Sequence, residues 1–128
     1  MDKKYTFRKE ERISAQKEID LLFNEGRSLI SYPLRIVYVE KKPFSGSDVA
    51  VLISVPKRKF KRAVKRNRLK RLIRESFRLN KNPLQELIKN KDSGLLIGFI
   101  FIGNEMSKYK EIESAMIKAL NILTDKAT

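Results

Sequence analysis

Twenty-two consecutive residues, Lys57 to Arg78 (KRKFKRAVKRNRLKRLIRESFR), hold twelve of the chain's 29 lysines and arginines and one acid, Glu75. Their net charge is +11, against +3 for the other 106 residues. Ammonium and guanidinium groups in such numbers suit one kind of chemistry, the neutralising and clamping of phosphate oxygens, and guanidinium does it through a planar fork of donors. Charge this concentrated repels itself in a folded protein. Mixed signs would give solubility with less repulsion, so the stretch is built for a polyanion.

Chemistry of bond cleavage is poorly supported. The chain has no histidine and no cysteine, which removes imidazole bases, imidazole and thiolate metal ligands, and disulfides. A protein nuclease would then depend on carboxylates acting as acid, base or magnesium cage. These are scattered: Glu10 and Glu11 in a polar arm, Glu18, Asp20 and Glu25 along a helix, Glu111 and Glu113 two apart and so facing different ways. Gly94 and Gly98 frame a strand and do not open a helix, so no phosphate-cradling loop is present. The expectation is no catalytic residue, no bound metal or other cofactor, and no small-molecule substrate.

The elements that must position the basic stretch are legible in order. Residues 1–12 read as a charged extended arm with Tyr5 and Phe7 as anchors. Ser14 can cap a helix over roughly 15–25, with Ile19, Leu22 and Phe23 at helical spacing and Gly26 as a left-handed terminator. Leu34–Glu40 and Val49–Val55 are β-branched strands, and the turn-rich Lys42–Asp48 between them predicts an antiparallel hairpin. From Leu69 the basic stretch is an amphipathic helix. Leu69, Leu72, Ile73 and Phe77 share one face, while Asn67, Arg71, Arg74 and Arg78 form an outward ladder flanked by Arg66, Arg68 and Lys70.

Asn82-Pro83 predicts an N-cap and a short helix to about residue 90, with Leu84, Leu87 and Ile88 inward. After an Asp92-Ser93-Gly94 turn, Leu95–Ile102 is apolar at every position, as a strand covered on both faces must be, and Gly98 allows a neighbour to approach closely. Asn104 or Ser107 caps a final helix through Tyr109, Ile112, Met116, Ala119, Leu120 and Leu123, with residues 124–128 frayed. The order α-β-β-α-(α)-β-α over residues 1–128 is one α+β domain, a small mixed sheet sandwiched with helices.

Among polyanions, an acidic membrane surface would suit a basic amphipathic helix, but the narrow apolar stripe is better matched to the nearby sheet. The N-terminus lacks the apolar core of a signal peptide and the longest apolar run is eight residues, so a cytoplasmic protein with no membrane partner is expected. A DNA-reading helix-turn-helix would be mostly helical, and no tight helix pair is present. A dense arginine ladder favours phosphate and shape recognition of RNA, and Phe23 and Tyr38 are candidates to stack single-stranded bases.

Lys65-Arg66-Asn67-Arg68-Leu69-Lys70-Arg71, followed by Arg74-Glu75 and Phe77-Arg78, resembles the Arg-Asn-Arg signature of the bacterial ribonuclease P protein subunit. Val55–Val64 (VPKRKFKRAV) and Phe23–Ser28 (FNEGRS) resemble the same family, and the likeness spans roughly residues 7–124. It implies a protein that assists a catalytic RNA. The RNA subunit, using Mg2+, removes the 5′ leader of precursor tRNA, so the implied partners are ribonuclease P RNA and precursor tRNA. It also implies a left-handed crossover between parallel strands, against the general right-handed preference.

By the same resemblance, Arg66, Asn67, Arg68, Lys70, Arg71 and Arg74 are signature residues, and Lys57, Arg58 and Lys59 enter the loop before the helix. Lys61, Arg62, Lys65 and Arg78 complete the RNA-binding set. Phe23 and Ile19 on the first helix, and Val37 or Tyr38 on a strand, line a cleft for the leader. Lys61 replaces the glycine usual in the family. A general RNA-binding or ribosome-associated module without a role in cleavage is the alternative that the basic helix alone supports.

Overall fold

The computed structural model describes residues 16–41, 49–91 and 93–127. Its elements are α1 (Gln16–Glu25), β1 (Arg27–Ser31), β2 (Leu34–Lys41), β3 (Val49–Ser54), α2 (Ala63–Asn80), α3 (Asn82–Asn90), β4 (Gly94–Phe101) and α4 (Tyr109–Ala127). The sheet runs β1-β2-β4-β3. β4, apolar at every position except its glycines, is central, antiparallel to β2 and parallel to β3.

That order replaces the expected hairpin. β2 and β3 do not pair, because β4 lies between them and takes a neighbour on each edge. A strand buried on both faces gains most by satisfying both edges as well. The connection from β3 to its parallel neighbour β4 is then the crossover through α2 and α3. The turn expected at Lys42–Asp48 lies outside the described residues, as do Ser14 and the arm 1–12.

β1 was not foreseen. It is five residues long, only Leu29 and Ser31 turn inward, and a two-residue turn with a cis Tyr32–Pro33 peptide folds it onto β2. Gly26 also has a different role. Its backbone is not left-handed; a Cβ there would lie 2.2 Å from the Leu22 carbonyl and 2.7 Å from Val37 Cγ1. The glycine still follows the last residue of α1, where its amide donates to the Leu22 carbonyl, but it is required by crowding from that carbonyl and from β2 and not by a left-handed backbone.

Other boundaries shift for local reasons. α2 starts at Ala63, before its apolar periodicity begins. Asn82 is the first residue of α3 and not its cap, because Lys81 keeps a helical backbone between α2 and α3. α4 starts at Tyr109 with the Lys108 carbonyl accepting from Ile112, so neither Asn104 nor Ser107 caps it. α4 runs past residue 124 to Ala127, whose side chain is buried.

The two sheet faces carry separate cores. Leu34 and Ile36, Val49 and Val51, and Leu95, Ile97, Phe99 and Phe101 pack under α2, α3 and α4 with Leu69, Ile73, Phe77, Leu84, Ile88, Ile112, Met116 and Leu120. The opposite face meets α1 through a small cluster of Leu22, Val37, Ala50 and Leu96. Gly98 makes that contact possible, since a Cβ there would stand 3.0 Å from Leu22 Cδ2.

Candidate nucleic-acid interface

β3 ends at Ser54, and Pro56 opens a turn in which its carbonyl accepts from the amides of Lys59 and Phe60. Phe60 is buried edge-on against Phe101, with ring centroids 5.6 Å apart, and ties the basic loop to the core. Lys59 Nζ donates to the Ile102 carbonyl at 2.9 Å. Arg66 Nη1 reaches back from the first turn of α2 to the carbonyls of Phe60 (2.7 Å) and Lys61 (2.8 Å). The loop is thus pinned at three points, and Lys57, Arg58, Lys61 and Arg62 stand exposed on it.

α2 buries Leu69, Ile73, Ser76 and Phe77 and turns Asn67, Arg68 and Arg71 to solvent, with Arg74 and Arg78 half-buried along the same line. Val64, Asn67, Arg68, Arg71 and Arg74 line a shallow hollow of about 470 Å³. A second hollow of about 360 Å³ is lined by Lys59, Phe60, Lys61, Arg62 and Lys65, with Asn104, Glu105 and Met106 across from them. Lys65 is exposed and Lys70 half-buried. Among the described residues, no hydrogen bond or ion pair engages the side chains of Lys57, Arg58, Lys61, Arg62, Lys65, Arg68, Lys70, Arg71 or Arg74. No side chain caps the N-terminus of α2 and no acid lies in its first turn, so unpaired amides add to the positive field there.

The ladder ends at Arg78, which does not share that freedom. It forms an ion pair with Glu75, with Nε donating to Oε2 at 3.2 Å. The hydrogen bond from Arg78, with its charge, holds the Glu75 carboxyl below its ordinary range. Across the seam with α4, Tyr109 donates to Glu113 at 3.0 Å. Burial first, and that hydrogen bond second, push its phenol up to about 12.

On the α1 face the register decides which of Val37 and Tyr38 lies beside α1. Val37 pairs with Gly98 and faces α1, next to Leu22. Tyr38 corrects the alternative expectation. It points to the other face, packs with the main core, and lines a hollow of about 370 Å³ with Arg27, Leu123 and Lys126. Side chains alternate along a strand, so the two neighbours cannot share a face. Ile19 packs on the α1 cluster, whereas Phe23, one turn later, leaves 49% of its surface to solvent.

Beyond Val37 the sheet continues in a row that α1 leaves largely open: Ile30, Arg35, Ile100 and Ser54 are register neighbours across all four strands. Ile30 is 68% exposed, and so is Tyr32 beside it in the turn. Arg35 is exposed with no side-chain partner among the described residues. Sequence reading passed over Arg35, Ile30 and Tyr32; an arginine at alternate spacing from Val37 was the available signal. The surface offers aromatic and aliphatic faces with one cation, a combination suited to single-stranded nucleic acid.

Among the described residues no group of three or more acids could hold a metal ion, and no helix is long and apolar enough to cross a membrane.

Residues 7–124 match the model of the protein family described as Ribonuclease P. The chain is 39% identical over 112 residues to a ribonuclease P protein component of Porphyromonas gingivalis, covering 88% of this chain and 82% of that one. It is 36% identical over 113 residues to the same component of Clostridium botulinum, covering 88% and 93%. Among solved structures, the ribonuclease P protein of Thermotoga maritima superposes with a TM-score of 0.69 at 23% identity, covering 88% of this chain and 96% of that one. That of Staphylococcus aureus superposes with 0.68 at 21%, covering 88% and 94%. These two share the α+β sandwich of four helices and a four-stranded mixed sheet.

Proposed function

The chain belongs to the bacterial ribonuclease P protein family, and on that premise we propose that it is the protein subunit of a ribonucleoprotein that removes the 5′ leader from precursor tRNA. The RNA subunit carries the chemistry and its Mg2+; the protein supplies charge and a seat for the leader. The observation that carries this reading is the set of cations on the loop 57–62 and the outer face of α2 that have no partner among the described residues, next to a sheet row that α1 leaves open.

The work divides between the two surfaces. Lys57, Arg58, Lys61, Arg62, Lys65, Arg68, Arg71 and Arg74 neutralise phosphates of the catalytic RNA, and Asn67 adds a directional amide. This lowers the repulsion between catalytic RNA and substrate RNA, so less free magnesium is needed. Phe23, Ile19 and Val37 bound the cleft for the single-stranded leader, extended by Arg35 and Ile30. Grip on the leader favours precursor over mature tRNA, which lacks that segment.

Labelled precursor tRNA incubated at low magnesium with a bacterial ribonuclease P RNA, with and without the protein, tests the reading. Cleavage at the mature 5′ end is expected only with both. No enhancement by the protein would favour a general RNA-binding or ribosome-associated module, and cleavage by the protein alone would overturn both readings. With about five to eight phosphates neutralised, log K for the RNA falls with log salt at a slope of order −4 to −7.

A further inference from the structure

Arg66 belongs by position to the most basic segment of the chain, yet its geometry separates it from its neighbours. It precedes Ile73 by seven residues and Phe77 by eleven, so at about 100° per residue it lies on the buried line of α2 and not on the outward ladder. Its Nη1 is already committed to the Phe60 and Lys61 carbonyls at 2.7 and 2.8 Å. Both carbonyls lie just before the first turn of α2, outside its ladder of hydrogen bonds. A charged donor satisfies them more strongly than a neutral one.

We propose that Arg66 is a positioning residue: it holds the 57–62 loop against α2 in the free protein, so that Lys57, Arg58, Lys61 and Arg62 meet RNA in a fixed arrangement, while Asn67, Arg68, Arg71 and Arg74 make the contacts. This refines the assignment of Arg66 as an RNA contact and rests on the proposed RNA-binding role. Three pins act on the loop together: the Phe60 ring in the core, Lys59 on the Ile102 carbonyl, and Arg66 on two carbonyls. Lys61, in the middle, cannot relax as freely as glycine would, and its carbonyl is one that Arg66 holds. A pre-ordered loop loses less entropy on binding than a mobile one carrying the same charge.

The test compares Arg66→Met, which keeps an apolar stem and removes the donors, with Arg71→Met on the outward ladder. In the free full-length protein, limited trypsin digestion and amide exchange report loop opening. Arg66→Met is expected to speed cleavage within residues 57–62 by roughly tenfold or more, and Arg71→Met to leave it unchanged. Binding to a bacterial ribonuclease P RNA transcript across a salt series gives the second readout. Arg71→Met should reduce the salt slope by about one, whereas Arg66→Met should weaken binding at every salt with the slope kept. Unchanged loop protection in Arg66→Met overturns the proposal, and so does a slope reduced by one or more. Arg66→Lys, read the same way, decides the matter if the methionine variant does not fold. The digestion arm needs no RNA, so failure of the wider RNA-binding reading, seen as no salt-dependent binding by the parent protein, is distinguishable from failure of this one.

Discussion

On one face of the sheet Leu95, Ile97, Phe99 and Phe101 of β4 disappear beneath three helices; on the other, Leu96 and Gly98 meet α1 alone, and Ile100 continues into a row open to solvent. The covered face joins 22 buried residues in one cluster, the α1 face only four among the described residues, so stability must come from the first. The α1 face is free to keep exposed what a stability-driven fold would bury: Phe23, Ile30 and Tyr32. One sheet thus serves as foundation on one side and, on the other, leaves exposed the surface proposed above as the leader seat.

Breaking the foundation should give the largest effect. Phe99→Ala, which empties a site packed against Phe77 at 5.6 Å, should cost about 3–5 kcal/mol in urea unfolding. Phe23→Ala should stay within about 0.5 kcal/mol in the same assay. Equal losses in the two variants would abolish the distinction between the faces. Gly26→Ala comes next, at about 1–3 kcal/mol, because its methyl would meet the Leu22 carbonyl in the last turn of α1 at 2.2 Å and Val37 Cγ1 of β2 at 2.7 Å, loosening the join between α1 and the sheet. Amide exchange in α1 should rise in that variant while α2 and α4 stay protected.

The open face should answer in binding. With a single-stranded leader oligonucleotide, Phe23→Ala should lose about 1–3 kcal/mol if a base stacks there. Arg35→Ala should reduce the salt slope by about one while leaving unfolding unchanged. If both bind the oligonucleotide as tightly as the parent, the open row is not the leader seat.

The smallest effect concerns the α2–α4 seam. The Tyr109 phenol is pushed up to about 12 from 10.0, chiefly by burial and then by its bond to Glu113, so folding favours its neutral form. That contribution is complete below the unfolded value and is lost as pH rises through the folded one. Urea midpoints should therefore fall less steeply between pH 10 and about 12 in Tyr109→Phe than in the parent. An identical slope would remove Tyr109 from the alkaline sensitivity of the covered side.

Patterns carried by single elements were legible in the sequence. The buried stripe of α2, its outward Asn67-Arg71-Arg74 ladder and the double coverage of β4 follow from periodicity alone, because side-chain direction along one element is fixed by its backbone. Strand pairing was not legible. A seven-residue, turn-rich connection suggests a hairpin, and only the competition among strands for β4 shows that β2 and β3 are separated. β1 escaped notice because two inward residues are too few to make a pattern.

What the sequence determined by itself was composition and local direction: a block of charge, a helix to carry it, and the absence of histidine and cysteine, which left little for a protein active site. Those properties need no partner elements. Only the tertiary structure decided that Val37 and not Tyr38 belongs to the α1 face, that Arg35 stands in an open row, and that Arg66 and Arg78 are engaged within the protein while Arg68, Arg71 and Arg74 have no partner among the described residues. Each depends on groups distant along the chain or on the turn of a helix against its neighbours. A string of like charges carries no mark of which are committed inward; that is set where carbonyls and carboxylates come within reach.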